Sequence, residues 1–398
     1  MDDKHHMTDY AADTAVMNTY GRAEIAFVRG NGCWLESESH ERYLDCASGI
    51  AVNTLGHAHP RLVAALQDQA GKLWHTSNLY RIPGQEQVAK RLASLSGLDQ
   101  VFFCNSGAEA TEAAVKIARR AAYEKGMADR TTILCASGAF HGRTLGMLAA
   151  TDRPAFRTGF GPMPAGFAHV PFGNMNALRA AMGPHVAAVM IESVQGEGGA
   201  KQVPDNYLAD ARAAADEFGA LLIADEVQAG IGRTGHLFSF EPSGIKPDIV
   251  ALAKGLAGGF PVGAVIASAA VGSAMTPGTH GSTFGGNPLA CVASLETIKI
   301  IEDEKLLDNA KIQGEKIINQ LTSEYKGNSK IKEIRGTGLM IGIEFHENCS
   351  NLNKIALENN VILNITSNNT LRLLPPLIIN NQESDFLVDK IIKIINKH

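Results

Sequence analysis

Between residues 60 and 270, short and nearly unbroken apolar runs alternate with stretches that are apolar on one helical face only. VFFC (101–104), TTILCA (131–136), AAVMIES (187–193), ALLIADE (220–226), DIVALA (248–253) and PVGAVIAS (261–268) read as strands. Residues 61–73, 85–96, 108–125 and 206–218 read as helices. A strand apolar at consecutive positions is buried on both faces, which is the condition of a parallel sheet covered by helices on each side. The pattern therefore predicts an α/β fold: a large domain with a mostly parallel central sheet and helices on both faces. Residues 287–325 read as helical, opened by Asn287 as N-cap and Pro288 as first helical residue. The strand-like pieces LMIGIEF, VILNI and LRLLPPL follow and predict a smaller α+β domain. We place an N-terminal segment contributing to the small domain at 1–59, the large domain at 60–291 and the small domain at 292–398. A chain of 398 residues has ample length for two cores.

Several function classes are disfavoured. The formal charge of −5, with no long basic run, offers no footing for nucleic acid. No apolar run reaches membrane-spanning length. The polar, acidic start MDDKHHMTDY reads as a loose end rather than a signal or transit peptide. Six scattered cysteines without C-x-x-C spacing fit reduced thiols in a cytoplasm. His57 and His59 lack a third ligand nearby, so no metal site is expected. Composition shifts near residue 297. Counted over the sequence, 1–297 holds 15 Arg and 8 Lys, whereas 298–398 holds 2 Arg and 11 Lys. Ile and Asn rise and Ala falls across the same point, as if two coding backgrounds met at a joint near 291–300.

The strand exits carry the chemistry, because open α/β sheets bind ligands at the carboxyl ends of their strands. In LLIADEVQAGIGRTG the run ends in Asp225 and Glu226. The GIGRTG that follows spells a dinucleotide fingerprint. It stands five residues past the strand, however, and HLFSFEPSG follows it, so it reads as a loop. In DIVALAKGLAGG, Lys254 comes straight off a buried strand, alone among the eight lysines before residue 298. It is either a lysine snorkelling at a strand exit or a desolvated, nucleophilic Schiff-base lysine. In VFFCNSGAEATEAAVKIARRAA, Ser106 and Glu109 fit a capping box, and Gly107 permits close approach to free N–H groups that could hold a phosphate. A strand-end lysine, a strand-end acid and a helix-start phosphate cradle together suggest pyridoxal phosphate.

With YLDCASGIAVNTLGHAHP, AFHGRTLGMLAAT, ESVQGEGG, ALAKGLAGGFPVGAV, GSTFGGNPLAC and LRLLPPL added, the sequence resembles the class-III pyridoxal-phosphate aminotransferases of fold type I. It is most similar to the acetylornithine type, from about residue 20 to the end. The resemblance implies that Lys254 bonds the cofactor covalently and shuttles a proton, and that Asp225 pairs with the ring nitrogen. It implies Ser106, Gly107 and Ala108 at the phosphate, Phe140 and Val227 on the ring faces, and Gln228 near the phenolic oxygen. Thr283 would reach the phosphate of the neighbouring subunit of a homodimer.

The resemblance also implies how two substrates share one site. Arg143 would take the distal carboxylate of either. Arg372 would pair with the α-carboxylate of glutamate, and Glu197 would neutralise Arg372 when the donor presents its terminal amine instead. The expected reaction moves the terminal amino group of N2-acetylornithine to 2-oxoglutarate by a ping-pong route. Succinylornithine, N-succinyldiaminopimelate, ornithine and 4-aminobutyrate are alternative donors. An aminomutase or decarboxylase is a more distant alternative.

Overall fold

The computed structural model describes residues 15–398; the MDDKHHMTDY stretch lies outside them. In chain order the strands begin with β1 Phe27–Asn31, β2 Trp34–Ser37 and β3 Arg42–Asp45. A central set follows: β4 Gln100–Cys104, β5 Thr132–Ala136, β6 Phe167–Val170 and β7 Val186–Ile191. A two-stranded hairpin of β8 Val194–Gln195 and β9 Lys201–Gln202 comes next. Then come β10 Leu221–Asp225, β11 Ile249–Leu252 and β12 Gly263–Ala267. The last group is β13 Ile331–Thr337, β14 Met340–Phe345, β15 Val361–Ile362, β16 Asn364–Thr366 and β17 Thr370–Leu373.

The central sheet has the order β4-β12-β11-β10-β7-β5-β6. Its inner strands are buried along their length, as unbroken apolar runs require: β7, β11 and β12 bury every residue. Neighbouring strands from β11 through β6 run parallel, and β12 is reversed against both β11 and β4. The reason for the reversal is length. Residues 253–262 join β11 to β12, too short a connection for the helical crossover that parallel neighbours need. The helix Gly107–Glu124 covers one face with small residues, burying Ala110, Ala113, Ala114, Ala118 and Ala121. A side chain of one methyl lets its backbone lie close to the sheet.

A four-stranded antiparallel sheet, β13-β14-β17-β16, is packed by the helices Leu306–Glu324 and Asn381–Asn396. β15 pairs in parallel with β3, so a C-terminal strand completes the N-terminal sheet. One expectation changes. The stretch 287–325 is not one helix but two, Pro288–Asp303 and Leu306–Glu324, separated at Lys305, whose φ of 52° is left-handed. His57 and His59 face different partners, Asp45 at 2.9 Å and Glu304 at 3.2 Å. Among the described residues no helix is long and apolar enough to cross a membrane.

Candidate active site

The exits of β4, β7, β10 and β11 converge on a cavity of about 560 Å³. Ser106, Gly107, Ala108, Phe140, Arg143, Asp225, Val227, Gln228 and Lys254 line it. Glu197 and Arg372 stand just behind, joined to it through Gln228. Thr283 is exposed and does not line it.

β10 and β11 are parallel neighbours with Asp225 opposite Ala251, which sets Lys254 three residues further along the adjacent chain. Lys254 holds a left-handed backbone, φ 43°. That conformation costs a non-glycine residue roughly 1–2 kcal/mol and aims the side chain at the cavity instead of continuing the strand. Burial pulls the Lys254 amine down to about 8. The Arg372 charge adds to this, against the carboxylates of Glu197, Asp225 and Glu192. A lysine near 8 is partly neutral at neutral pH and can act as nucleophile or base.

Both oxygens of Asp225 are engaged. Oδ1 accepts the Val227 amide at 3.0 Å, and Oδ2 lies 2.7 Å from His141 Nδ1 in a fully buried pair. Burial works against a charged imidazole, but Asp225, and Cys135 behind it, hold the His141 pKa well above its ordinary value. The Thr111 hydroxyl lies 2.7 Å from the His141 carbonyl, tying the Gly107–Glu124 helix to this loop. Glu192, at the exit of β7, accepts the Phe140 amide at 3.1 Å. Burial raises its pKa, Asp225 adds to the rise, and His141 and Lys254 oppose it.

At the start of the Gly107–Glu124 helix, Ser106 caps the Glu109 amide, and the Glu109 carboxylate accepts the Asn105 amide and the Ser106 hydroxyl. This differs from the expected capping box by one residue, since Glu109 reaches back to Asn105 rather than to the N-cap amide. Among the described residues the amides of Gly107 and Ala108 have no acceptor, which leaves an anion cradle at a helix N-terminus. Gly107 also has a packing reason: a Cβ there would lie 2.6 Å from Val227 Cγ1.

Arg372 sits on β17 and is fully buried. Its Nη1 donates to Glu197 Oε1 at 2.7 Å and to Gln228 Oε1 at 2.8 Å, and its Nε to Asn364 Oδ1 at 3.0 Å. Nη2 has no partner and is buried. Burial pushes the Glu197 pKa up, but the Arg372 charge outweighs it and holds Glu197 ionised. Gln228 therefore faces Arg372 here. Arg143 projects over the Phe156 ring, 3.5 Å from its centroid, and has no carboxylate partner among the described residues. The site thus offers a depressed-pKa amine, a buried carboxylate–imidazole pair, a row of free amides and two cations with unused donors. A phosphorylated aldehyde with a basic ring fits this donor set.

His141 and Glu192 are absent from the residues predicted from sequence. Each had a signal. His141 stands between Phe140 and Arg143 in AFHGR, and Glu192 ends a strand as Asp225 does.

The description "Aminotransferase class-III" fits residues 16–395 of this chain. Acetylornithine aminotransferase 1 of Bordetella bronchiseptica is 46% identical over 386 residues, covering 96% of this chain and 98% of the relative. An acetylornithine aminotransferase of Elizabethkingia anophelis superposes with a TM-score of 0.87 at 34% identity, covering 96% of each chain. An ornithine aminotransferase of Toxoplasma gondii, described with partial occupancy of PLP at its active site, superposes with a TM-score of 0.93 at 34% identity, covering 97% and 93%.

Proposed function

The chain belongs to the class-III aminotransferases, and on that premise we propose that it transfers the terminal amino group of N2-acetylornithine to 2-oxoglutarate. The observation that carries the reading is the ion pair of buried Arg372 with partly buried Glu197, 2.7 Å apart beside Lys254. A site that takes two amino donors of different charge in turn needs a carboxylate receptor that can be switched off. Pyridoxal 5′-phosphate is the cofactor; the free amides of Gly107 and Ala108 would hold its phosphate, Lys254 would bond its aldehyde carbon and Asp225 would pair with its ring nitrogen. When bound, it supplies a carbonyl that condenses with amines and an electron-poor ring that stabilises the carbanion left by proton loss.

The protein's own groups do the rest. Asp225 would keep the ring nitrogen protonated, and His141 compensates the Asp225 charge from behind. Phe140, held by Glu192, and Val227 would confine the ring. Lys254, its amine lowered to about 8, would bond the cofactor and serve as the base that moves a proton at the substrate carbon. Arg372 turns from Glu197 to the α-carboxylate of glutamate through its free Nη2. With an acylated donor, Glu197 stays on Arg372, and Arg143 leaves the Phe156 ring for the single carboxylate.

We also infer a homodimer with shared sites, in which Thr283 serves the partner's phosphate. Support comes from the apolar surface around it: Trp74, Leu79, Tyr80 and Phe284 are all exposed. Six unpaired, buried cysteines suit the cytoplasm. The division at 59 and 291 is kept as our partition of the chain, supported by the pairing of β15 with β3.

A donor panel with 2-oxoglutarate tests the reading. Acetylornithine should give the highest kcat/KM, ahead of succinylornithine, ornithine and 4-aminobutyrate. No turnover with either acylated ornithine would overturn the substrate assignment.

A further inference from the structure

The GIGRTG loop holds a buried charge outside the active-site cavity. Arg233 is 2% exposed and has no ion pair among the described residues. Its side chain crosses instead to the β13-β14-β17-β16 sheet. Nη1 donates to the Leu339 carbonyl at 3.3 Å and to the Pro375 carbonyl. The Arg233 carbonyl in turn accepts the Leu339 amide at 3.0 Å. Nη2 is buried without a partner. Burial pulls the guanidinium down to about 10, against the Asp45 charge, so it stays protonated at neutral pH. An unpaired charge in the interior is expensive, and a well-packed neutral side chain would serve there if filling space were the only demand.

The two carbonyls frame Arg372. Pro375 lies three residues past it along the chain. Leu339 lies three residues before Gly342, which faces Arg372 across the β14–β17 ladder. The same loop also reaches the Arg372 guanidinium, because Gln228, five residues before Arg233, accepts from Nη1 of Arg372 at 2.8 Å. Close packing shuts the joint between loop and sheet. A Cβ on Gly338, φ 55°, would lie 2.5 Å from the Thr234 carbonyl carbon, and one on Gly232, φ 89°, 2.6 Å from Leu377 Cδ1.

We propose that Arg233 is a positioning residue: by tying both strands around Arg372 to the loop that leaves β10, it fixes where the Arg372 guanidinium stands relative to Lys254 and sets the affinity for the α-carboxylate of glutamate. The proposal rests on the transamination reading, in which Arg372 receives that carboxylate. Bidentate pairing needs both donors in place at once, so a small shift of β17 weakens it. A donor that presents a terminal amine brings no carboxylate to Arg372 and is insensitive to the same shift.

The test is single-turnover absorbance of the cofactor-loaded enzyme with L-glutamate and, separately, with the best terminal-amine donor of the panel above. Arg233→Lys keeps the charge but replaces a planar fork by a flexible stem. It should raise the glutamate concentration for half-maximal rate about tenfold or more and leave the limiting rate within about threefold. The terminal-amine half-reaction should change by less than about twofold. Gly232→Ala wedges the same joint without touching the charge and should reproduce the glutamate-selective loss, which decides the question if Arg233→Lys does not fold. A merely structural role lowers Tm and slows both half-reactions alike. Equal loss in both, or an unchanged glutamate response in a folded variant, would overturn the proposal while the parent still transaminates. A parent enzyme that glutamate does not convert would overturn the transamination reading, and the assignment of Arg233 with it.

Discussion

Lys254 concentrates two costs in one residue, a left-handed backbone and a buried amine. A folded pKa of about 8, below the ordinary lysine value of about 10.4, means the folded apoenzyme loses this proton at lower pH than the unfolded chain. Between those values the unfolded chain binds more protons, so this group raises stability as pH climbs from 8. The same shift sets reactivity. Capture of a simple aldehyde by the apoenzyme should be half-maximal near pH 8, and a midpoint above 10 would contradict the account. His141 offers a second residue-level test. His141→Ala leaves Asp225 buried without its partner, and the apoenzyme should lose roughly 3–5 kcal/mol of unfolding free energy. Loss below 1 kcal/mol would show that the pair contributes little. Lys254 and Asp225 were legible in the sequence because each ends an apolar run. His141 and Glu192 were less so, because a strand pattern does not say which of two successive exit residues turns toward the cavity. Glu226 shows the difficulty: it sits beside Asp225, yet it points away to Ser239, and burial raises it to about 7.

Among the elements, the β8–β9 hairpin is gripped by both arginines of the Lys-rich C-terminal quarter. Arg372 holds Glu197 at the tip. Arg335 on β13 donates to the Gly199 carbonyl from Nε at 3.0 Å and Nη2 at 2.7 Å, and Nη1 pairs with Glu344 at 2.6 Å. Burial pushes Glu344 up, but Lys332 and Arg335 hold it down at about 2. Lysine cannot reproduce a two-pronged donation. Arg335→Lys should slow the half-reaction with acetylornithine by about tenfold, roughly one hydrogen bond to a charged group, and change the glutamate half-reaction by less than about twofold. Equal slowing of both would assign Arg335 to general stability. The hairpin itself was hard to read, since each of its strands has two residues and no pattern forms over so short a span. The reversal of β12 was legible in principle from the short 253–262 connection, whereas its apolar run looks the same in either direction. The break at Lys305 lacks glycine or proline and leaves no such mark.

For the whole molecule, the shift of composition near residue 297 does not divide the core. The helix Pro288–Asp303 crosses it and buries Ala290, Ala293, Ile298 and Ile301 in one continuous cluster. Apolar volume, rather than the identity of the side chain that supplies it, is what close packing demands. The exposed apolar surface is the larger whole-molecule feature. Leu66, Trp74, His75, Phe260, Phe284 and Leu289 line an apolar recess, and Leu79 is 87% exposed nearby. A double change of Trp74→Glu and Leu79→Asp should give monomers in sedimentation and, because Thr283 then has no partner's phosphate to reach, weaken cofactor retention. Monomers that keep the cofactor as tightly as the parent would contradict shared sites.

The proposed reaction requires that Arg372 alternate between Glu197 and a substrate carboxylate. Single-turnover kinetics of Glu197→Gln measure it directly, one half-reaction at a time. Without Glu197 the buried guanidinium is uncompensated only when the donor brings no carboxylate to it, so the acetylornithine half-reaction should slow by about tenfold or more while the glutamate half-reaction stays within about twofold. Equal slowing of the two half-reactions, or no change in either, would contradict the claim.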